Sequence, residues 1–209
     1  MNSAELLALD PVIAIATIER VEDAVPLARA VQKGGLRTLE VTLRTPVALE
    51  AIERIAREVP QLTVGAGTVL RVDQIEGAVG AGARFLITPG TTALLLDGLE
   101  ESGLPYLCGC ATPSEVARLV ERGIHEMKLF PAEAAGGIEL LKSLAGPFPE
   151  ARFCPTGGID ADGAEAYLAL PNVCTVGGSW VTRRPEGAGD WESVVVAARA
   201  ASRLRWTRR

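Results

Sequence analysis

The chain has a single histidine, His125, and only three lysines among 209 residues. One histidine removes Ser-His-Asp hydrolysis and histidine-rich metal hydrolysis, unless that one side chain does everything. Aromatic residues make up 4% of the chain and the formal net charge is −5. Both argue against nucleic-acid binding, which wants a basic face and stacking platforms. No apolar run approaches the roughly 20 residues needed to span a bilayer. The start Met1-Asn2-Ser3-Ala4-Glu5 lacks the basic residues of a secretory signal. A cytoplasmic protein without membrane or nucleic-acid partners is expected. The four cysteines, Cys108, Cys110, Cys154 and Cys174, make no tight paired framework, so free thiols are expected. The lone C-x-C pair does not have zinc spacing, and no metal site is expected.

What is present is apolar and periodic. Hydrophobic residues make up 48% of the chain, enough for one globular domain over residues 1–209. Short apolar runs alternate with longer amphipathic ones. The runs Val12–Ala16, Leu36–Leu43, Leu62–Val64, Arg84–Ile87, Pro105–Cys108, Ile124–Leu129, Ala151–Cys154 and Val173–Val176 read as strands. Helical patterns separate them: Val21–Gln32, Pro46–Glu58, Val72–Val79, Thr91–Glu101, Ser114–Glu121, Gly137–Leu144 and Ala161–Leu168, with Trp191–Leu204 closing the chain. Continuous rather than alternating apolar strands suit a buried parallel sheet. Eight strand–helix units predict an α/β fold, a (β/α)₈ TIM barrel. The short segment Ala4–Leu9 is expected to plug its floor. An open doubly wound sheet is the weaker reading, because no G-x-G-x-x-G opens a helix after the first strand. Pro185-Glu186-Gly187-Ala188-Gly189 reads as a turn-rich loop, and Arg199, Arg203, Arg205, Arg208 and Arg209 as cations on the last turns of the final helix.

Lys128 is the most informative residue. It stands in the apolar run Ile124-His125-Glu126-Met127-Lys128-Leu129-Phe130-Pro131, a poor place for a solvated cation. Burial disfavours the charged form of an amine, which makes such a lysine a candidate nucleophile. Most of the other basic side chains are arginines, which form no imine with a ketone. The plain alternative is a lysine that carries its head to water on an apolar stem. Glu126, two residues earlier, points to the same side of the strand and is expected one layer deeper, nearer the floor.

Barrel chemistry sits where strands end, and those ends carry chemistry here. Glu40 and Arg44 fall at the end of the second strand, and Thr68 follows Gly65-Ala66-Gly67, read as letting the backbone approach a ligand. Thr88-Pro89-Gly90, Thr156-Gly157-Gly158 and Gly177-Gly178-Ser179 end the fourth, seventh and eighth strands. Backbone N–H groups after strands seven and eight commonly hold phosphate.

Five collinear motifs carry a resemblance: Leu39-Glu40-Val41-Thr42-Leu43-Arg44-Thr45, Gly65-Ala66-Gly67-Thr68-Val69, Lys128-Leu129-Phe130-Pro131-Ala132-Glu133, Phe153-Cys154-Pro155-Thr156-Gly157-Gly158-Ile159 and Gly177-Gly178-Ser179-Trp180. Together they resemble the 2-keto-3-deoxy-6-phosphogluconate aldolases, also described as 2-keto-4-hydroxyglutarate aldolases. The resemblance implies a class I lyase of the Entner–Doudoroff pathway, a homotrimer without metal or organic cofactor, acting on a small 2-keto-4-hydroxy acid. It implies Lys128 as the Schiff-base lysine and Glu40 as acid and base. Arg44 and Thr68 would hold the pyruvate-derived carboxylate, with Pro89 and Phe130 around the pyruvyl group. Thr156, Gly157, Gly158, Gly178 and Ser179 would line the phosphate end. Two departures stand out. Cys108 replaces the proline of a Pro-Gly turn that the family usually has after strand five. The first strand ends Ile15-Ala16-Thr17 without the basic residue some members carry, which weakens the case for phosphate contacts from it. The rival reading is a phosphate-binding barrel, an isomerase or transferase without imine chemistry, which would need neither Lys128 nor its placement.

Overall fold

A computed structural model of the chain describes residues 1–184 and 191–206. The loop read at Pro185–Gly189 and the terminal Arg208 and Arg209 lie outside the described residues. Each apolar run becomes a strand: β1 Val12–Ala16, β2 Thr38–Thr42, β3 Thr63–Gly67, β4 Leu86–Ile87, β5 Tyr106–Cys110, β6 Glu126–Leu129, β7 Arg152–Pro155 and β8 Val176–Gly178. The helices are α1 Ser3–Leu7, α2 Ala24–Lys33, α3 Ala48–Glu58, α4 Val72–Gly80, α5 Ala93–Glu101, α6 Pro113–Glu121, α7 Ala132–Ala135, α8 Gly137–Ala145, α9 Ala164–Leu168 and α10 Glu192–Ser202. Local chemistry sets several of their starts. Thr112 caps α6 and receives Glu115 in a reciprocal capping box, with Pro113 at the first turn.

The strands run parallel in the order β7-β6-β5-β4-β3-β2-β1-β8. Two bridges, Phe153 to Val173 and Thr156 to Gly177, join the ends. The barrel is thereby closed, the fold expected from eight repeating units. Between those bridges three steps along β7 are matched by four along the approach to β8, a one-residue bulge. That extra residue explains why β8 lies at Val176–Gly178 and not at Val173–Val176. Apolarity placed the strand early, whereas the pairing partners lie after the bulge.

Strand residues alternate between two cores. Leu39, Val41, Val64, Ala66, Leu86, Met127 and Leu129 face the helix layer and are at most 0% exposed. Ile13, Phe85, Ile87, Leu107, Cys154 and Cys174 face inward and pack with Leu6 and Leu7 of α1. The first helix therefore plugs the barrel floor, held by the Asn2–Glu5 capping box and by Ser3 Oγ, which donates to the Tyr106 carbonyl at 2.9 Å. Glu126 lies at this floor, beside a cavity of about 150 Å³ shared with Ala4, Leu7, Arg152 and Cys174. It is thus remote from the barrel mouth, as its position two residues before Lys128 suggested.

Cys108 departs from expectation: it is a fully buried residue within β5, not part of a turn. Of the terminal arginines, Arg199 occupies the last turn of α10 and Arg203 its C-cap, while Arg205 lies beyond the helix. No helix among the described residues is long and apolar enough to cross a membrane.

All four cysteines are buried and none is in a disulfide among the described residues. Burial pushes the thiols of Cys108, Cys110 and Cys154 up to about 12. An unfolded thiol titrates near ~8.5, so above that pH the unfolded chain loses protons that the folded chain keeps. Stability contributed by these neutral thiols is complete below pH ~8.5 and falls as pH rises toward about 12. A urea midpoint that declines between pH 8.5 and 11, less so in a Cys108→Ala/Cys154→Ala variant, is expected. Rapid labelling of all four thiols in the native protein at pH 8 would contradict it.

Candidate active site

At the C-terminal end of the barrel a cavity of about 170 Å³ opens between strand ends. Glu40 from β2 and Lys128 from β6 form its base, 2% and 5% exposed respectively. Lys128 Nζ lies 3.3 Å from Glu40 Oε1. That separation is longer than the roughly 2.7–2.9 Å of a tight charge-assisted hydrogen bond. Phe130 places its ring centroid 5.3 Å from Nζ. Removing one partner of a buried charged pair typically costs about 3–5 kcal/mol, while apolar replacement of both is often neutral or stabilising. Stability alone therefore gives no reason for this pair.

Small residues clear the space these long side chains occupy. A methyl group on Gly67 would fall 1.9 Å from Glu40 Oε1, and one on Gly65 would fall 2.3 Å from the Phe85 ring. The two glycines of β3 thus admit a carboxylate and a ring of the chain itself. The expectation that they let backbone approach a ligand is corrected. Gly177 stands in the same relation to Thr156, whose Oγ1 would lie 2.2 Å from an added methyl.

Arg44 forms one wall. Its Nε donates to Thr68 Oγ1 at 3.0 Å, and no carboxylate of the described residues pairs with it. Thr68 adopts φ 57°, the one non-glycine residue with positive φ among the described residues. For a β-branched residue this is a genuine outlier, costing on the order of 1–3 kcal/mol. Thr68 is half-buried and its hydroxyl accepts from Arg44 beside the cavity. The free guanidinium nitrogens can take a carboxylate in bidentate fashion.

The opposite wall is built from Thr156, Gly157, Gly158, Ile159, Gly177 and Ser179. Gly157 and Gly158 have φ of 101° and 85°, and no protein acceptor takes either N–H among the described residues. Consecutive free N–H groups of this kind form an anion-binding concavity. Ser179 begins a 3₁₀ turn over Ser179–Thr182.

Of the residues read from the sequence, the structure gathers Glu40, Arg44, Lys128, Phe130, Thr156, Gly157, Gly158 and Ser179 around one cavity. It does not place Pro89, Thr68 or Gly178 on the walls. The Pro89 carbonyl carbon would lie 2.2 Å from a methyl on Gly109, so its backbone packs against β5. Gly178 faces the Trp180 ring, whose nearest atom would lie 2.5 Å from an added methyl. The β8 bulge reverses which glycine faces inward, and Gly177 takes the wall position. Ile15 and Ile159 were missed as lining residues. The inward parity of Ile13 and Ile15 on β1 was the available signal for the first of them. At this strand end the wall is apolar, in keeping with the absent basic residue.

A larger cavity of about 250 Å³ lies between α5 and α6. Two of its charged residues have partners of their own: Glu115 caps α6, and Arg122 bonds Asp97 and Glu100. It holds no buried pair of reactive groups.

Residues 4–196 match the family model for KDPG and KHG aldolases. The chain belongs to this family. It is 46% identical to the KHG/KDPG aldolase of Escherichia coli K12 over 202 residues, covering 96% of this chain and 95% of that one. The 2-dehydro-3-deoxy-phosphogluconate aldolase of Dickeya dadantii is 45% identical, with 96% and 94% covered. The KDPG aldolase crystal structure from Legionella pneumophila, with pyruvate captured at low pH as a covalent carbinolamine intermediate, superposes with a TM-score of 0.92. It is 44% identical, with 97% and 98% of the two chains covered. The Zymomonas mobilis ZM4 aldolase with 3-phosphoglycerate gives a TM-score of 0.92 at 43% identity, with 98% and 96% covered.

Gly67→Ala places a methyl group where Glu40 Oε1 now stands. Displacing a reacting group by about 1 Å can cost on the order of 100-fold in rate. A loss of that size in aldol cleavage, with an unchanged far-UV spectrum, is expected; wild-type turnover would show that the carboxylate needs no such clearance.

Proposed function

We propose that this chain is a class I aldolase that cleaves 2-keto-3-deoxy-6-phosphogluconate to pyruvate and D-glyceraldehyde 3-phosphate. It would also cleave 4-hydroxy-2-oxoglutarate to pyruvate and glyoxylate. The buried contact between Lys128 Nζ and Glu40 Oε1 at 3.3 Å, facing a cavity at the barrel mouth, carries this reading.

The chemistry needs an electron sink, because breaking the C3–C4 bond leaves a carbanion at C3. Lys128 must be unprotonated to attack, and Glu40 is near enough to take its proton. The amine adds to the C2 ketone to give a carbinolamine. Glu40 returns a proton to the departing hydroxyl, and loss of water leaves an iminium. The Glu40 carboxylate then removes the C4 hydroxyl proton, directly or through a water. The C3–C4 electrons flow into the iminium as an enamine, and the aldehyde leaves. Protonation at C3 followed by hydrolysis of the imine frees pyruvate and restores the amine. Arg44, braced by Thr68, binds the substrate carboxylate, and Phe130 packs beside the pyruvyl carbon. Gly157, Gly158 and Ser179 hold the phosphate through N–H and hydroxyl donors; Thr156, Pro89 and Gly178 shape the surrounding surface.

The rival, a phosphate-binding barrel without imine chemistry, needs no lysine against a buried carboxylate. The 3-hexulose-6-phosphate synthase of Salmonella typhimurium is 19% identical with a TM-score of 0.65, which is a likeness of fold alone. A homotrimer in the cytoplasm, working in the Entner–Doudoroff pathway, completes the proposal. The exposed apolar side chains of Leu70 and Leu94, 55% and 72% accessible, are available for subunit contact.

Incubation with pyruvate and borohydride should add one reduced pyruvyl group to the wild type and none to Lys128→Ala, which should also lack turnover. Glu40→Gln should retain pyruvate recognition while slowing turnover by a factor on the order of 10²–10⁴. Full activity in Lys128→Ala would end the imine reading. Light scattering should give three times the 22.0 kDa chain mass; a monomer would refute the trimer.

A further inference from the structure

The loop Thr156-Gly157-Gly158 is supported from behind by residues that do not line the cavity. The Ala132 N–H donates to the Thr156 carbonyl at 2.8 Å and the Glu133 N–H to the Gly157 carbonyl at 3.0 Å. These bonds tie the loop's carbonyls to α7 and leave the N–H groups of Gly157 and Gly158 free. The stem of Glu133 lies directly against Gly158, where an added methyl would fall 2.6 Å from both Cβ and Cγ.

Glu133 is exposed, so its carboxylate has room to reorient. Among the described residues the only cationic side chains on the cavity wall are Arg44 and Lys128, so the phosphate end offers neutral donors alone there. A carboxylate free to swing toward a phosphate dianion would oppose its binding. Tyr167 on α9 prevents this: its hydroxyl donates to Glu133 Oε1 at 2.5 Å. Tyr167 is 2% exposed, and its phenol is held protonated, first by burial and then by the Glu133 carboxylate itself. The path between them is cleared by Gly137, where an added methyl would sit 2.8 Å from the Tyr167 hydroxyl oxygen. A buried phenol, a glycine gap and a carboxylate stem under a phosphate-facing glycine make a built arrangement.

We propose that Tyr167 and Glu133 are positioning residues for the phosphate end, the tyrosine hydroxyl pinning the carboxylate away from the bound phosphate while its stem fixes Gly158. The proposal rests on the aldolase reading above and concerns discrimination between phosphorylated and unphosphorylated substrates. Neither residue touches the reacting carbons, so kcat should stay near that of the wild type.

Tyr167→Phe should raise KM for 2-keto-3-deoxy-6-phosphogluconate on the order of tenfold, as expected when a like charge is freed to approach the phosphate. KM for 4-hydroxy-2-oxoglutarate should not change. Glu133→Gln, which removes the charge and keeps the stem, should leave both KM values near wild type. Added to Tyr167→Phe, it should restore the KM for the phosphorylated substrate. An equal rise for both substrates, no rise for either, or a double variant as impaired as Tyr167→Phe would overturn the inference. Inability of the wild type to cleave either substrate would instead overturn the aldolase reading, so the two failures are distinct.

Discussion

One buried contact, Lys128 against Glu40, sets the demands that the rest of the barrel meets. Two ionisable groups inside a closed sheet need room, a floor that excludes water and partners for what they hold. Room comes from Gly67, whose missing side chain is where the carboxylate sits. The floor comes from Phe85, Ile87 and Leu107 with Leu6 and Leu7 beneath them. An interior of low polarity strengthens every electrostatic interaction within it. A proton passed between amine and carboxylate, as the proposed imine chemistry asks, would move between groups only 5% and 2% exposed.

The cavity divides its electrostatics between two ends. On one side Arg44 offers a cation, aimed by a threonine that accepts an unfavourable backbone conformation to do so. Strain of this kind persists where surrounding structure over-determines it. On the other side no cation among the described residues lines the wall, and the donors are the N–H groups of two glycines and the Ser179 hydroxyl. A substrate with a carboxylate at one end and a phosphate at the other would be oriented by this asymmetry. Arginine favours the planar anion through its fork of donors, while a concave run of N–H groups suits the tetrahedral one. The Tyr167–Glu133 contact belongs to the second end and keeps negative charge from drifting into it.

Barrel geometry turns strand parity into chemistry. Alternate residues face inward, so Glu126 and Lys128 share a side but lie at opposite ends of β6, one at the floor and one at the mouth. Where the alternation is interrupted, at the bulge before β8, the wall residue changes from Gly178 to Gly177. One extra residue in one strand thus decides which glycine faces the cavity.

The amino-acid order alone determined that this is an eightfold strand–helix repeat, because continuous apolar strands and amphipathic helices of regular length allow few other closed arrangements. It also singled out Lys128, since burial in an apolar strand end disfavours a charged amine, and the five collinear motifs pointed to the family. Only the tertiary structure decided which groups meet. Glu40 and Lys128 are 88 residues apart in the chain, and no local pattern encodes their contact. The positive φ of Thr68 and the close approach of the Pro89 backbone to Gly109 are features that residue types do not reveal. Gly65 and Gly67 turned out to make way for Phe85 and Glu40. A sequence marks where a side chain is missing, and only packing shows what fills the gap.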